Sequence, residues 1–135
     1  MTARGEERAV LCIVDDPATT RLLERVVARA GLRVIAVRQG SLGLELAREH
    51  APALVVVALD LVDLAGESVL RRLGVDPETA AIPVIVLSED EDARLRRRML
   101  RAGAREVFAL PLDVATFEAV LATFAPPRGD EHPAG

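Results

Sequence analysis

Residues 11–17 read Leu11-Cys12-Ile13-Val14-Asp15-Asp16-Pro17, an apolar run closed by two adjacent carboxylates and a proline. An apolar run without polar alternation suits a strand buried on both faces, as in a parallel sheet covered by helices. Proline then suits the first turn of a helix, where its missing N–H would have had no intrahelical partner anyway. The stretch therefore reads as a strand from Arg8 to Val14, an acidic loop, and a helix opening at Pro17. Leu22, Leu23, Val26 and Val27 share one side of that helix, and Gly31 ends it.

The same unit recurs along the chain. Leu32 to Val37 forms a second strand, followed by Gly40 and a helix from Ser41 to about Glu49 with Leu42, Leu46 and Ala47 facing inward; Pro52 stops it. Ala53 to Leu59 is the third strand, and a loop of Asp60 to Ala65 leads to a helix from about Gly66 to Leu73. Pro83 to Leu87 is the fourth strand. An acidic-headed helix starts at Ser88-Glu89-Asp90-Glu91-Asp92 and runs to about Ala102, with Gly103 terminating it. Glu106 to Leu110 is the fifth strand, and Asp113 caps a last helix through Phe124. Five such units predict an α/β fold, a doubly wound, five-stranded parallel sheet with five helices; strand order 2-1-3-4-5, one of the two common solutions for such a chain, is the one expected. That order places any site at the C-terminal ends of strands one, three and four.

Composition narrows the function. With 135 residues, half of them apolar, the chain suits one domain, expected over 8–125, with flexible ends at 1–7 and 126–135. A net charge of -4 and a pI near 5.2 argue against general nucleic-acid binding. Cys12 is the sole cysteine and reads as a core residue, so neither a disulfide nor a cysteine metal cluster is expected. The first residues lack the apolar stretch of a secretory signal, and the longest apolar run, Ala53 to Leu59, is too short to span a bilayer. A soluble cytoplasmic protein with no membrane partner is the expectation. Every cation apart from the two histidines is an arginine, because the chain has no lysine.

At the strand ends stand Asp15 and Asp16, then Ala58 and Asp60, then Ser88, then Leu110 and Pro111. With this order of motifs, roughly residues 8 to 125 resemble the receiver domain of bacterial response regulators, flavodoxin-like modules that take a phosphoryl group from a histidine kinase. The resemblance implies an acidic pair that helps hold magnesium and an acceptor aspartate ending strand three. It also implies a Ser or Thr after strand four and a Lys before a proline after strand five. Asp15, Asp16, Ser88 and Pro111 match these positions. The family's acceptor lies six residues after the proline opening the third segment and eight before the glycine of the next helix; both counts reach Ala58. Leu110 stands at the lysine position, and the position of the family's switching aromatic holds Val107. A methyl group cannot carry a phosphoryl group.

Asp60 is the competing acceptor. Two residues along a strand displace a side chain by about 6.5 Å, whereas magnesium holds oxygens at about 2.0–2.1 Å, so the Asp60 carboxylate would need a remodelled loop to act there; the resemblance implies that position 60 gives such an ion its backbone carbonyl. No cofactor is expected beyond weak Mg2+ at Asp15, Asp16 and Asp60. On the helix after strand four, Arg94, Arg97, Arg98 and Arg101 form a basic stripe beside an inward stripe of Leu95, Met99 and Ala102. The pairs Asp90 with Arg94 and Asp92 with Arg96 are expected to support that helix locally.

These features predict a degenerate, stand-alone receiver: a non-enzymatic, phosphorylation-independent interaction module in two-component-type signalling. Its partner would be a histidine kinase, response regulator or effector docking on the arginine stripe, or a second copy through the last two helices. Two alternatives compete with it: a phosphoacceptor using Asp60, and a small-ligand binder at the strand-end crevice. Against the ligand binder, the loop after strand one has no glycine-rich cradle.

Overall fold

The computed structural model describes residues 8–126. Five strands run in parallel: β1 (Ala9–Ile13), β2 (Arg33–Val37), β3 (Leu54–Ala58), β4 (Val84–Ser88) and β5 (Glu106–Ala109), in the order β2-β1-β3-β4-β5. They alternate with α1 (Pro17–Arg29), α2 (Gly40–His50), α3 (Gly66–Val75), α4 (Ala93–Arg101) and α5 (Val114–Phe124). The expected flexible ends lie outside the described residues except for Pro126, whose carbonyl accepts a hydrogen bond from Arg8 at 3.3 Å. Among the described residues no helix is long and apolar enough to cross a membrane.

Strand parity divides the core into two layers. Val10, Cys12, Leu54, Val56, Ile85 and Leu87 face α1 and α5, whereas Leu11, Ile13, Val55, Val57 and Val86 face the other helices. β1, β3 and β4 are buried along nearly their whole length. β2 is not: as an edge strand it exposes Arg33 and Ala36, so the expectation of uniformly buried strands holds only for the centre of the sheet.

Three local expectations are corrected. Leu42 faces solvent at 40 % exposure, because α2 lies on the sheet through Gly40, Gly43 and Ala47. A Cβ at Gly43 would collide with the Ile13 side chain, so the glycine sets how closely the helix approaches and rotates Leu42 outward. The segment Ser88 to Asp92 is not helical, and α4 starts only at Ala93. Asp90 accepts the Asp92 N–H at 3.0 Å, turning the chain ahead of the helix, and Asp92 caps α4 by accepting the Arg94 N–H at 2.9 Å. Neither therefore pairs with Arg94 or Arg96 as expected. Finally, Asp113 stands at the α5 N-cap without a side-chain bond to the helix backbone; its carboxylate accepts the Thr116 hydroxyl at 2.6 Å instead.

Candidate functional site

The C-terminal strand ends gather the expected residues at one edge of the sheet. Beyond β1, Asp15 is half-buried and accepts the Arg38 guanidinium, with Nε and Nη2 both 3.2 Å from Oδ1. Strand register sets this pair: Ile13 stands beside Val37, and the Val14 N–H donates to the Val37 carbonyl at 3.0 Å, so the residues that follow leave the sheet together. Asp16 is the α1 N-cap. Its Oδ2 accepts the Thr19 hydroxyl at 2.7 Å and the Thr19 N–H at 3.0 Å, and these bonds hold the carboxyl below its usual range.

Ala58 is the last residue of β3, beside Leu87 of β4, and packs half-buried against the core layer under α1 and α5. Gly66 closes over this strand end. Its N–H donates to the Leu59 carbonyl at 2.8 Å, and a Cβ there would collide with the Ala58 carbonyl oxygen. Asp60 lies past the strand, exposed, in an isolated antiparallel bridge with Ala65. The neighbouring acid was not singled out from sequence: Asp63 caps α2, accepting the N–H groups of Gly40 at 2.7 Å and Ser41 at 3.0 Å. Those two backbone donors, Ser41 first, pull its carboxyl down to about 2. Its only sequence signal was an acid in the loop after β3, and its partners lie 22 and 23 residues away in the chain.

Ser88 ends β4 and is buried. Its hydroxyl accepts the Asp90 N–H at 2.9 Å and donates to the Asp90 carbonyl at 3.1 Å. This loop bond replaces the helix-starting role read from sequence. Leu110 follows β5, donates its N–H to the Ser88 carbonyl at 2.9 Å, and is joined to Pro111 by a cis peptide bond. Its side chain packs on the same apolar layer as Ala58. Val107 and Phe108 face opposite layers, and Phe108 meets Phe117 edge to face at 6.2 Å. A cavity of about 510 Å³ opens between Asp16, Leu22, Glu89 and Leu110. Among the described residues, no three Asp, Glu, His or Cys side chains come together as a group that could hold a metal ion.

The arginine stripe is divided. Arg94, Arg97 and Arg101 are exposed, and among the described residues their guanidinium groups have no hydrogen-bond or ion-pair partner. Arg98 instead reaches Glu67 of α3 at 2.9 Å, and Glu67 also accepts Arg71 at 2.9 Å. These bonds, Arg71 first, hold the Glu67 carboxyl below its usual range. Arg96 donates to the Val107 carbonyl at 2.8 Å, tying α4 to β5. Of the inward stripe Met99 is fully buried, and Leu95 and Ala102 are half-buried.

Comparison with known proteins agrees with this geometry. The family model described as response regulator receiver domain matches residues 10–122. Protein PilH of Pseudomonas aeruginosa is 31% identical over 117 residues, covering 84% of this chain and 97% of PilH. A crystal structure of a putative response regulator from Chloroflexus aurantiacus superposes with a TM-score of 0.82 at 21% identity, covering 87% of this chain and 97% of that one. The receiver domain of a sensor histidine kinase from Pseudomonas aeruginosa, solved with magnesium in its active-site cleft, superposes with a TM-score of 0.79 at 22% identity over the same shares. With the family model matching most of its length and the strand order β2-β1-β3-β4-β5 in place, the chain belongs to the response regulator receiver domain family.

Proposed function

We propose that this receiver is a phosphorylation-independent protein-interaction module in two-component-type signalling, with no catalytic step of its own. The observation that carries the reading is Ala58 at the end of β3, packed on the same apolar layer as Leu110 beyond β5. Where the family resemblance implies a phosphoryl acceptor and a lysine that pairs with it, this chain has a methyl and an isobutyl group. Neither can form an acyl phosphate or an ion pair with one. Asp60, the other carboxylate on this side, is exposed and held in a bridge beyond the strand.

Signalling then rests on a face presented constantly. Arg94, Arg97 and Arg101 offer guanidinium groups in a planar geometry suited to carboxylates, and the partner is an acidic surface on a kinase, regulator or effector. Arg98 is part of the α3–α4 contact and does not belong to that face.

Intact-mass spectrometry after incubation with acetyl phosphate or phosphoramidate and Mg2+ tests the reading, with Asp60→Asn as control. The expected result is an unmodified mass. A phosphoryl adduct lost in Asp60→Asn would replace this reading with that of a working receiver whose acceptor is displaced.

A further inference from the structure

The family resemblance implies a magnesium ion between the acidic pair, the strand-three carboxylate and the backbone carbonyl two residues on. The donors of this chain do not fit it. Magnesium demands near-octahedral oxygen ligands at about 2.0–2.1 Å and gives up its water reluctantly, so it depends on several converging carboxylate or carbonyl oxygens. Ala58 supplies none from its side chain. Asp16 directs Oδ2 at Thr19, from which it accepts two hydrogen bonds while capping α1. Asp15 is already neutralised by Arg38, whose Nε and Nη2 both lie 3.2 Å from Oδ1.

We infer that Arg38 is the resident counter-cation of Asp15 and stands in the place of a divalent metal there. The strand register and the chemistry of arginine carry this. The pair joins residues 23 apart in sequence, and the parallel register of β1 and β2 brings them together, so it is built by the sheet and not by a chance surface rotamer. Arginine cannot shed its charge at any ordinary pH, so the neutralisation is permanent. A metal bound to Asp15 would set a double positive charge beside the guanidinium, and the repulsion would weaken its binding. Asp15 is thereby neutralised without a metal ion.

This deepens the reading proposed above and rests on the same placement of Ala58, but its test is separate. Free Mn2+, measured by its electron paramagnetic resonance signal, is titrated with the folded protein. For the unmodified chain we expect a Kd above about 1 mM, beyond the weakest range of extracellular calcium modules. Arg38→Ala should tighten Mn2+ binding about 2–5-fold, the factor that corresponds to an exposed ion pair. Arg38→Gln should do the same, and adding Asp15→Asn should cancel the gain. Arg38 is 71% exposed, so neither variant should disturb folding, which circular dichroism checks. Submillimolar binding by the unmodified chain, or unchanged affinity in both Arg38 variants, would overturn the inference. Tight Mn2+ binding without a phosphoryl adduct would sink this inference alone, whereas an adduct would sink the proposed function.

Discussion

If Ala58 and Leu110 face one crevice, the charges absent from them should recognise each other when restored. Ala58→Asp sets a carboxylate at a half-buried strand end that packs on apolar core. An unpaired polar group in such a place costs about 1–3 kcal/mol, and half-exposure puts the expected loss at about 1–2 kcal/mol. Leu110→Lys removes a half-buried isobutyl group at a cost of about 1 kcal/mol, half the value for full burial. The double variant should lose less than the sum. Leu110 follows β5, its N–H is bonded to Ser88 of β4, and Ala58 lies beside Leu87 of the same strand. The two positions are thus two strand spacings apart, about 10 Å, which the four-carbon stem of a lysine and an aspartate can close between them. Two variant charges meeting at a half-exposed site should couple by about 1 kcal/mol in the stabilising direction.

Urea denaturation of the four proteins, at low and at high salt, gives the coupling as the departure from additivity. Salt should shrink it, because a half-exposed pair is screened. Additivity within about 0.3–0.5 kcal/mol at low salt would refute the reasoning. The two side chains would then not share a crevice, and the count that assigns Ala58 to the acceptor position would fail with it.

Two further outcomes are expected. Asp63 has a carboxyl lowered from 3.8 to about 2, so its contribution to stability is complete above about pH 4 and is lost as the pH falls toward 2, where the folded state must also take up the proton. The stability gap between the unmodified chain and Asp63→Asn, measured by urea titration at each pH, should therefore close across that window; a gap independent of pH would show that the capping carboxylate does not act through its charge. Reversing Arg97 and Arg101 together to glutamate should leave the urea midpoint nearly unchanged, since both are exposed and unpaired among the described residues, while binding of an acidic partner falls at least tenfold and loses its salt dependence. Equal binding by the reversed variant would move the docking face elsewhere.

What could be read from the sequence followed distance along the chain. Continuous apolar runs such as Leu54-Val55-Val56-Val57 disclosed the central strands, and the order of the sheet followed from their regular alternation with helices. The opening of α1 at Pro17 was legible because its signals are local, and Asp16 caps it through Thr19, three residues away. The start of α4 was misread because an acidic run suits a helix dipole in general, while here Asp90 spends its carboxylate on a turn and the helix begins only where Asp92 caps it. Leu42 was misplaced because apolarity alone cannot say which side of α2 touches the sheet; Gly43 against Ile13 decides that, and only the assembled layers reveal it. Arg38 and Asp63 were invisible for the same reason. Each meets partners more than twenty residues away, across a register that no local pattern encodes.

Those long-range contacts bear on the proposed function alongside Ala58. A pocket that accepts a charged ligand must keep donors and charges available for it, because polar groups already satisfied internally gain little from a ligand and lose what they had. At these strand ends the polar groups are taken up by the protein: Asp15 by Arg38, Asp16 by Thr19, Ser88 by Asp90, and Asp63 by the first N–H groups of α2. An aspartate introduced at position 58 would thus add one carboxylate to a crevice several of whose polar groups are already engaged. The guanidinium groups of Arg94, Arg97 and Arg101 are in the opposite condition, exposed and without an internal partner among the described residues. On the function proposed above, these unengaged guanidinium groups make α4 the docking face, away from the strand ends.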